Sequence, residues 1–144
     1  MNQWQDSFIK KVGALRDESA RKFEHVADDV VDRVCSEFTE FAARCEFQSS
    51  TPQSQKGLRT VKFALTEDAY VLISFRFQGF DTVDCDYECF VPGQGRIEGL
   101  RSSMGLHGVD REWVERCFQT ALDDFVTRSS DNFRAGLVAE PVAV

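Results

Sequence analysis

The sequence predicts an α+β fold: a long N-terminal helix, broken or bent or else extended, then an antiparallel meander of three to four strands, then a C-terminal helix packed on the sheet. Three observations predict it. Apolar residues recur at helical spacing through the first third of the chain, the period drops to two between about residues 60 and 91, and it returns to helical at Asp110. Helices segregated from an antiparallel sheet cover its apolar face with their own apolar stripes, which is the α+β arrangement.

The first helix is read from Trp4, Phe8, Val12, Leu15, Ser19, Phe23, Val26, Val30, Val34, Phe38, Phe41 and Cys45, spaced mostly four, four, three, with one glycine (Gly13) and no proline between them. Charges such as Lys11, Asp17, Asp28, Asp29, Asp32 and Arg33 fall between the stripe positions, as on an amphipathic helix with one solvated side. A straight helix of about 43 residues would be ~65 Å long, whereas a compact domain of this size has a radius of gyration of ~15 Å. Two outcomes satisfy the pattern. The helix breaks near Gly13 or Asp17-Glu18-Ser19, or it projects and buries its stripe on a second copy.

Residues 48–57, with Pro52 and Gly57, read as a connecting loop. Val61, Phe63 and Leu65, then Val71, Ile73, Phe75 and Phe77, alternate with polar or small residues and predict a hairpin. Val83, Cys85, Tyr87, Cys89 and Val91 make the most regular strand, ended by Pro92-Gly93. A short fourth strand falls at about Arg96–Leu100. Residues 92–108 hold five of the nine glycines and read as a loop. Asp110 is a good N-cap for a helix bearing Trp113, Val114, Cys117, Phe118, Ala121, Leu122, Phe125 and Val126, with Val109 stapling onto Val114. That helix should finish near Arg128. Residues 1–128 are therefore expected to form one domain, and 129–144 a flexible or docking tail.

The composition narrows the function classes. The chain has 144 residues, 17 basic and 24 acidic, for a net charge of −7, and is 42% hydrophobic. A single core of this size needs no disulfide or structural metal. No apolar run approaches the ~20 residues of a membrane span, and no signal peptide is read in MNQWQDSFIKK. The acidic balance without a basic block argues against nucleic acid as a partner. Residues 1–48 carry 7 bases and 10 acids, 49–108 carry 6 and 7, and 109–144 carry 4 and 7, so no segment is a charged tail. The five cysteines, Cys35, Cys45, Cys85, Cys89 and Cys117, are odd in number and unclustered, which predicts reduced thiols in a cytoplasmic protein. On a strand, Cys85 and Cys89 would lie ~13 Å apart, beyond reach of a disulfide or a shared zinc.

Three groups of residues are candidates for chemistry. Asp84, Asp86 and Glu88 alternate along the third strand, so they share one face at ~6.7 Å spacing. Such a carboxylate row can hold magnesium for phosphoryl transfer. The plainer reading is a charge ladder with Lys62 and Arg76 on a wet sheet face. Arg96, Arg101 and His107 lie in the glycine-rich segment, where backbone amides and arginines could cradle an anion or a partner, although the spacing fits no phosphate-binding fingerprint. His107 beside Ser102 or Ser103 is a pairing by sequence proximity alone. Aromatic residues on an open sheet could stack on bases, but Phe75 and Phe77 belong to the inward alternation. Finally, Trp4, Phe8, Val12 and Leu15 form an interaction stripe if the helix outruns its own domain.

No motif identifies a family. The leading functional expectation is a non-enzymatic, cytoplasmic protein-protein interaction module, adaptor or chaperone-like and homodimeric, without a cofactor. Its partners would be another protein or a second copy of itself, with no membrane. The alternatives are a magnesium-dependent enzyme acting on a nucleotide or phosphate ester through Asp84, Asp86 and Glu88, and a small-ligand domain with an apolar pocket beneath Tyr87 and Phe75.

Overall fold

Asn2 caps the first helix. Its Oδ1 accepts from the Gln5 amide at 2.8 Å, and Gln5 Oε1 accepts from the Asn2 amide at 3.4 Å, so two otherwise unpaired donors are satisfied reciprocally. In the computed structural model, which describes residues 2–139, the chain continues as helix α1 (Gln3–Val26), a π-helical turn (Ala27–Val31) and helix α2 (Asp32–Arg44). The helix is thus continuous. It passes through Gly13 and through Asp17–Ser19 without a break, and its irregularity lies further on, at the π turn, where the Asp32 amide reaches back five residues to the Ala27 carbonyl.

The sequence explains that turn. Ser19, Phe23, Ala27 and Val31 are buried at strict four-residue spacing, followed by Val34 and Cys35. At about 100° per residue each step of four overshoots a full turn by ~40°. The wider π turn absorbs the accumulated drift and keeps all of these side chains on the sheet. This also corrects the stripe: Ala27, Val31 and Ala42 are the buried residues, Val26 and Val30 are half-buried, and Phe41 and Cys45 are exposed. Helix α2 ends in a Schellman arrangement. The Phe47 amide donates to the Ala42 carbonyl at 3.1 Å and the Glu46 amide to Ala43 at 3.2 Å, with Glu46 at φ 64°.

Six antiparallel strands follow: β1 (Ser49–Gln55), β2 (Leu58–Thr66), β3 (Ala69–Gln78), β4 (Thr82–Val91), β5 (Gly95–Glu98) and β6 (Ser102–Gly105). The first five pair in chain order, and β6 returns to β4. The sheet therefore exceeds the expected three to four strands at both ends. Residues 49–55, expected as loop, pair along their whole length with β2, from Ser49 opposite Ala64 to Gln55 opposite Leu58. The polar composition of β1 fits its place at the rim, where all but Ser50 are exposed. The glycine-rich segment is also ordered: β5 pairs with residues 88–91 of β4 and β6 with residues 82–85, so the two share one edge. A short 3-10 turn (Leu106–Gly108) then leads to helix α3 (Arg111–Ala139).

Asp110 caps α3 as expected, its Oδ1 accepting from the Trp113 amide at 2.9 Å. The helix does not stop at Arg128. It runs on to Ala139, and Asn132 ties its extension to the β4–β5 turn by donating to the Pro92 carbonyl at 3.0 Å and accepting from Gln94 at 3.2 Å. Residues 129–139 of the expected tail are thus helical, and 140–144 lie outside the described residues.

Helices α2 and α3 cover one sheet face. Val61, Phe63, Val71, Ile73, Phe75, Val83, Cys85, Cys89 and Val91 point into that layer, with Phe23, Val34, Val114, Phe118 and Phe125 from the helices. Phe118 stands at its centre, its ring centroid 5.0 Å from Phe38, 5.6 Å from Phe75 and 6.0 Å from Phe63. Leu65, expected inward, is exposed. The register slips between Ala64 and Thr66, and such a slip turns the following side chains to the other face.

Candidate functional site

The first turns of α1 leave the domain. Residues 2–18 are exposed except for half-buried Val12, and helical contact with the core begins at Ser19. At about 1.5 Å per residue this overhang is roughly 25 Å long. Of the expected interaction stripe, Trp4 is 69% exposed, Phe8 51% and Leu15 45%; Ile9, outside it, is 56% exposed. Trp4 and Phe8 stack at 5.2 Å, and Arg16 lies over the Phe80 ring at 5.9 Å. Sequence periodicity placed Trp4, Phe8, Val12 and Leu15 on one face; Ile9 is also exposed but points about 100° around the helix from Phe8, off that stripe.

The overhang differs electrostatically from the rest of the chain. It holds three acids (Asp6, Asp17, Glu18) and three bases (Lys10, Lys11, Arg16), so the net charge of −7 resides elsewhere. Two overhangs can approach each other without the repulsion that two whole domains would feel.

The carboxylate row occupies the uncovered sheet face. Asp84 Oδ1 accepts from Ser103 Oγ at 2.6 Å, Asp86 Oδ2 lies 3.7 Å from Arg76 and 3.9 Å from Arg101, and Glu88 pairs with Arg96, which also approaches Glu98 at 3.6 Å. Arg76 thus joins the expected ladder, whereas Lys62 rests over the Tyr70 ring at 4.2 Å. Asp86 and Glu88, with Arg76, Arg96, Glu98 and Arg101, line a cleft of about 600 Å³ between β3, β4 and the β5–β6 connection, and Asp84 lies outside it. Its three arginines are matched by Asp86, Glu88 and Glu98, so an incoming anion or cation would have to displace an ion pair already made. Among the described residues no three His, Cys, Asp or Glu side chains converge to hold a metal ion.

Arg96, Arg101 and His107 do not form one group. The two arginines meet at this cleft, while His107 lines a separate concavity against α1 with Glu18, Lys22 and His25. Neither nearby serine is its partner: Ser102 Oγ accepts from Trp113 Nε1 at 3.1 Å, and Ser103 donates to Asp84. His25 pairs with Asp29 one turn on, at 3.0 Å. On the covered side Tyr87 donates its hydroxyl to Asp124 at 2.9 Å, and burial followed by that carboxylate pushes its pKa up to about 12. Beside Phe75 and Phe118 the remaining space is about 20 Å³, room for a single water, whereas Tyr87 borders an open cleft of about 370 Å³ with Met104, Trp113, Arg116 and Thr120.

One buried polar cluster was missed. Arg59, its side chain 9% exposed, reaches from β2 to Glu24 at 2.7 Å, Asp28 at 3.0 Å and Asp32 at 3.4 Å, and donates to the Gln55 and Leu58 carbonyls. Glu24 also accepts from the Gly57 amide at 3.1 Å. The signal was present as three acids at four-residue steps, which the same π turn keeps on one line. Burial raises the Asp32 pKa, against the lowering effect of Arg59.

No family model, curated protein or solved structure matches this chain. Among the described residues no helix is long and apolar enough to cross a membrane.

Proposed function

We propose that this chain is a non-enzymatic protein-binding module that works as a homodimer, two copies pairing along the overhanging first turns of α1. The observation that carries the reading is the overhang itself. It presents Trp4, Phe8 and Leu15 on one exposed face, on a segment whose own charges cancel, and it makes little contact with the domain that bears it. A contiguous apolar stripe of this kind is stabilised by a covering surface, and an aromatic pair is the type of anchor that dominates interfaces. The ion-paired sheet cleft favours a binding role through the helix over catalysis on the sheet. Cytoplasmic residence is supported by five free thiols, of which only Cys45 is exposed.

Light scattering tests the reading. The 16.4 kDa chain is expected to run at twice its mass at micromolar concentration, and Trp4→Ala/Phe8→Ala to run as a monomer with an unchanged far-ultraviolet spectrum. A monomeric wild type, or a double variant that still dimerises, overturns it. Losing two such anchors should weaken association by at least ~100-fold, at roughly 2 kcal/mol or more each.

A further inference from the structure

The cleft on the uncovered sheet face is neutral as a whole but not along its length. At one end Arg76 and Arg101 share a single carboxylate, Asp86, at 3.7 and 3.9 Å, both beyond hydrogen-bond length. At the other end Arg96 is shared by two carboxylates, Glu88 and, at 3.6 Å, Glu98. One end therefore carries a surplus positive charge and the other a surplus negative charge. Asp86 and Glu88 stand two residues apart on β4, which sets the two ends roughly 7 Å from each other. All six side chains line the same concavity of about 600 Å³, and Leu72, opposite Glu88 in the register, gives it an apolar wall. Gly99 fixes the frame. Its amide donates to the Tyr87 carbonyl at 2.8 Å, and there is no room for a Cβ between it and the Tyr87 ring. The β5–β6 connection thus lies flat on β4, with Glu98 just before the glycine and Arg101 two residues after it.

We infer that this cleft binds a small zwitterion whose carboxylate and ammonium are separated by a short aliphatic chain, as in the ω-amino acids. The carboxylate enters between Arg76 and Arg101, whose guanidinium groups are out of hydrogen-bond range of Asp86 and free to grip it in a forked geometry. The ammonium enters between Glu88 and Glu98, and the methylene chain lies along Leu72. A ligand of a single sign satisfies one end and leaves the surplus at the other uncompensated. A zwitterion of this span neutralises both, and the walls of the cleft strengthen each attraction by focusing the field. An α-amino acid, with its two charges side by side, is too short to reach both ends. The site is separate from the helical arm and does not depend on dimerisation through it.

The test titrates ε-aminocaproate into the full-length, isotopically labelled chain at low ionic strength and follows its amide and arginine side-chain signals by nuclear magnetic resonance. Expected is saturable binding with a Kd on the order of 1 mM, the range for so small a ligand on so open a site. The shifted signals should fall in β3, β4 and residues 95–101. Caproate, hexylamine and glycine should each bind roughly tenfold more weakly or worse, and added salt should weaken ε-aminocaproate by screening both of its ion pairs. Arg101→Gln and Glu98→Gln should each reduce its affinity by roughly fivefold or more. Those side chains are 64% and 82% exposed, so the variants should fold as the wild type does, which the far-ultraviolet spectrum checks. The inference is overturned if caproate or hexylamine binds as tightly as ε-aminocaproate, if either variant keeps the wild-type affinity, or if no signal of the cleft moves by about 20 mM ligand.

Discussion

Phe118→Ala should lower the unfolding free energy by about 4 kcal/mol, read as a shift of the urea midpoint at unchanged slope. The ring is fully buried and meets Phe38, Phe63 and Phe75 at 5.0–6.0 Å. Removing it takes away its own transfer free energy, leaves a cavity between the layers, and ends three aromatic contacts of about 0.5–1.5 kcal/mol each. Neighbouring β2 and β3 are fixed by hydrogen bonds along nearly their whole length, so the site cannot collapse fully. A domain of this size has only about 7–20 kcal/mol in hand, which makes one phenylalanine a large share. Phe133→Ala is the control. That ring is 66% exposed on the far end of α3, and its loss should change stability by less than ~0.5 kcal/mol. A loss below about 2 kcal/mol for Phe118→Ala would show that the layers close over the gap.

Arg59→Met should cost about 3 kcal/mol at neutral pH, although methionine fills much the same volume. Among the described residues the guanidinium is the cation within ion-pair distance of Glu24, Asp28 and Asp32, and removing it leaves carboxylates repelling one another over a partly buried surface. The estimate sits at the low end for a broken buried pair because Asp28 and Asp32 keep 67% and 41% of their side-chain surface in water. The loss should also depend on pH. In the folded chain the Asp32 pKa is raised, burial outweighing Arg59, so its contribution to stability is present below the unfolded carboxylate value and is lost as pH rises through the folded one. Without Arg59 the folded value climbs further. The deficit of the variant should therefore shrink as pH falls from 7 toward about 4, and urea unfolding at the two pH values checks it. A pH-independent deficit would assign the effect to packing alone.

What could be read from the sequence follows from which residues repeat. The alternation Val83, Cys85, Tyr87, Cys89, Val91 gave β4 in its full register because all five are apolar and all five are buried. Asp110 and Val109 likewise announced the start of α3. The misses have physical causes. Strand β1 is Ser, Thr, Gln and Pro at a sheet rim, where both faces meet water and no alternation is required. Strands β5 and β6 are four residues each, too short to show a period above the glycines around them. Helix α3 passes Arg128 because its extension is held by Asn132 rather than by apolar burial, a contact that periodicity does not see. In the candidate site, the carboxylate row was placed on the correct face, but its arginine and serine partners come from β3 and the β5–β6 region. The Arg59 cluster joins residues 24–32 to residue 59, and a strand read as apolar alternation gives no reason to look there. The stripe at Trp4, Phe8, Val12 and Leu15 was legible because a helix imposes its spacing whether or not anything covers it.

The shared edge of β4 governs how this molecule can aggregate. Unpaired strand edges are templates for another chain, and β-rich proteins protect them. Here one side of β4 is capped by β5 and β6 in tandem, with the Gly99 amide donating to the Tyr87 carbonyl at 2.8 Å in the gap between them. At the opposite rim β1 carries Pro52, which has no amide hydrogen to offer, among serines and glutamines. Growth by adding strands meets only two four-residue strands on one side and is poorly rewarded on the other. Fibrillation through the sheet is therefore a slow route for this chain, even at high concentration, and an assembly of limited size through its helical arm is left as the open one.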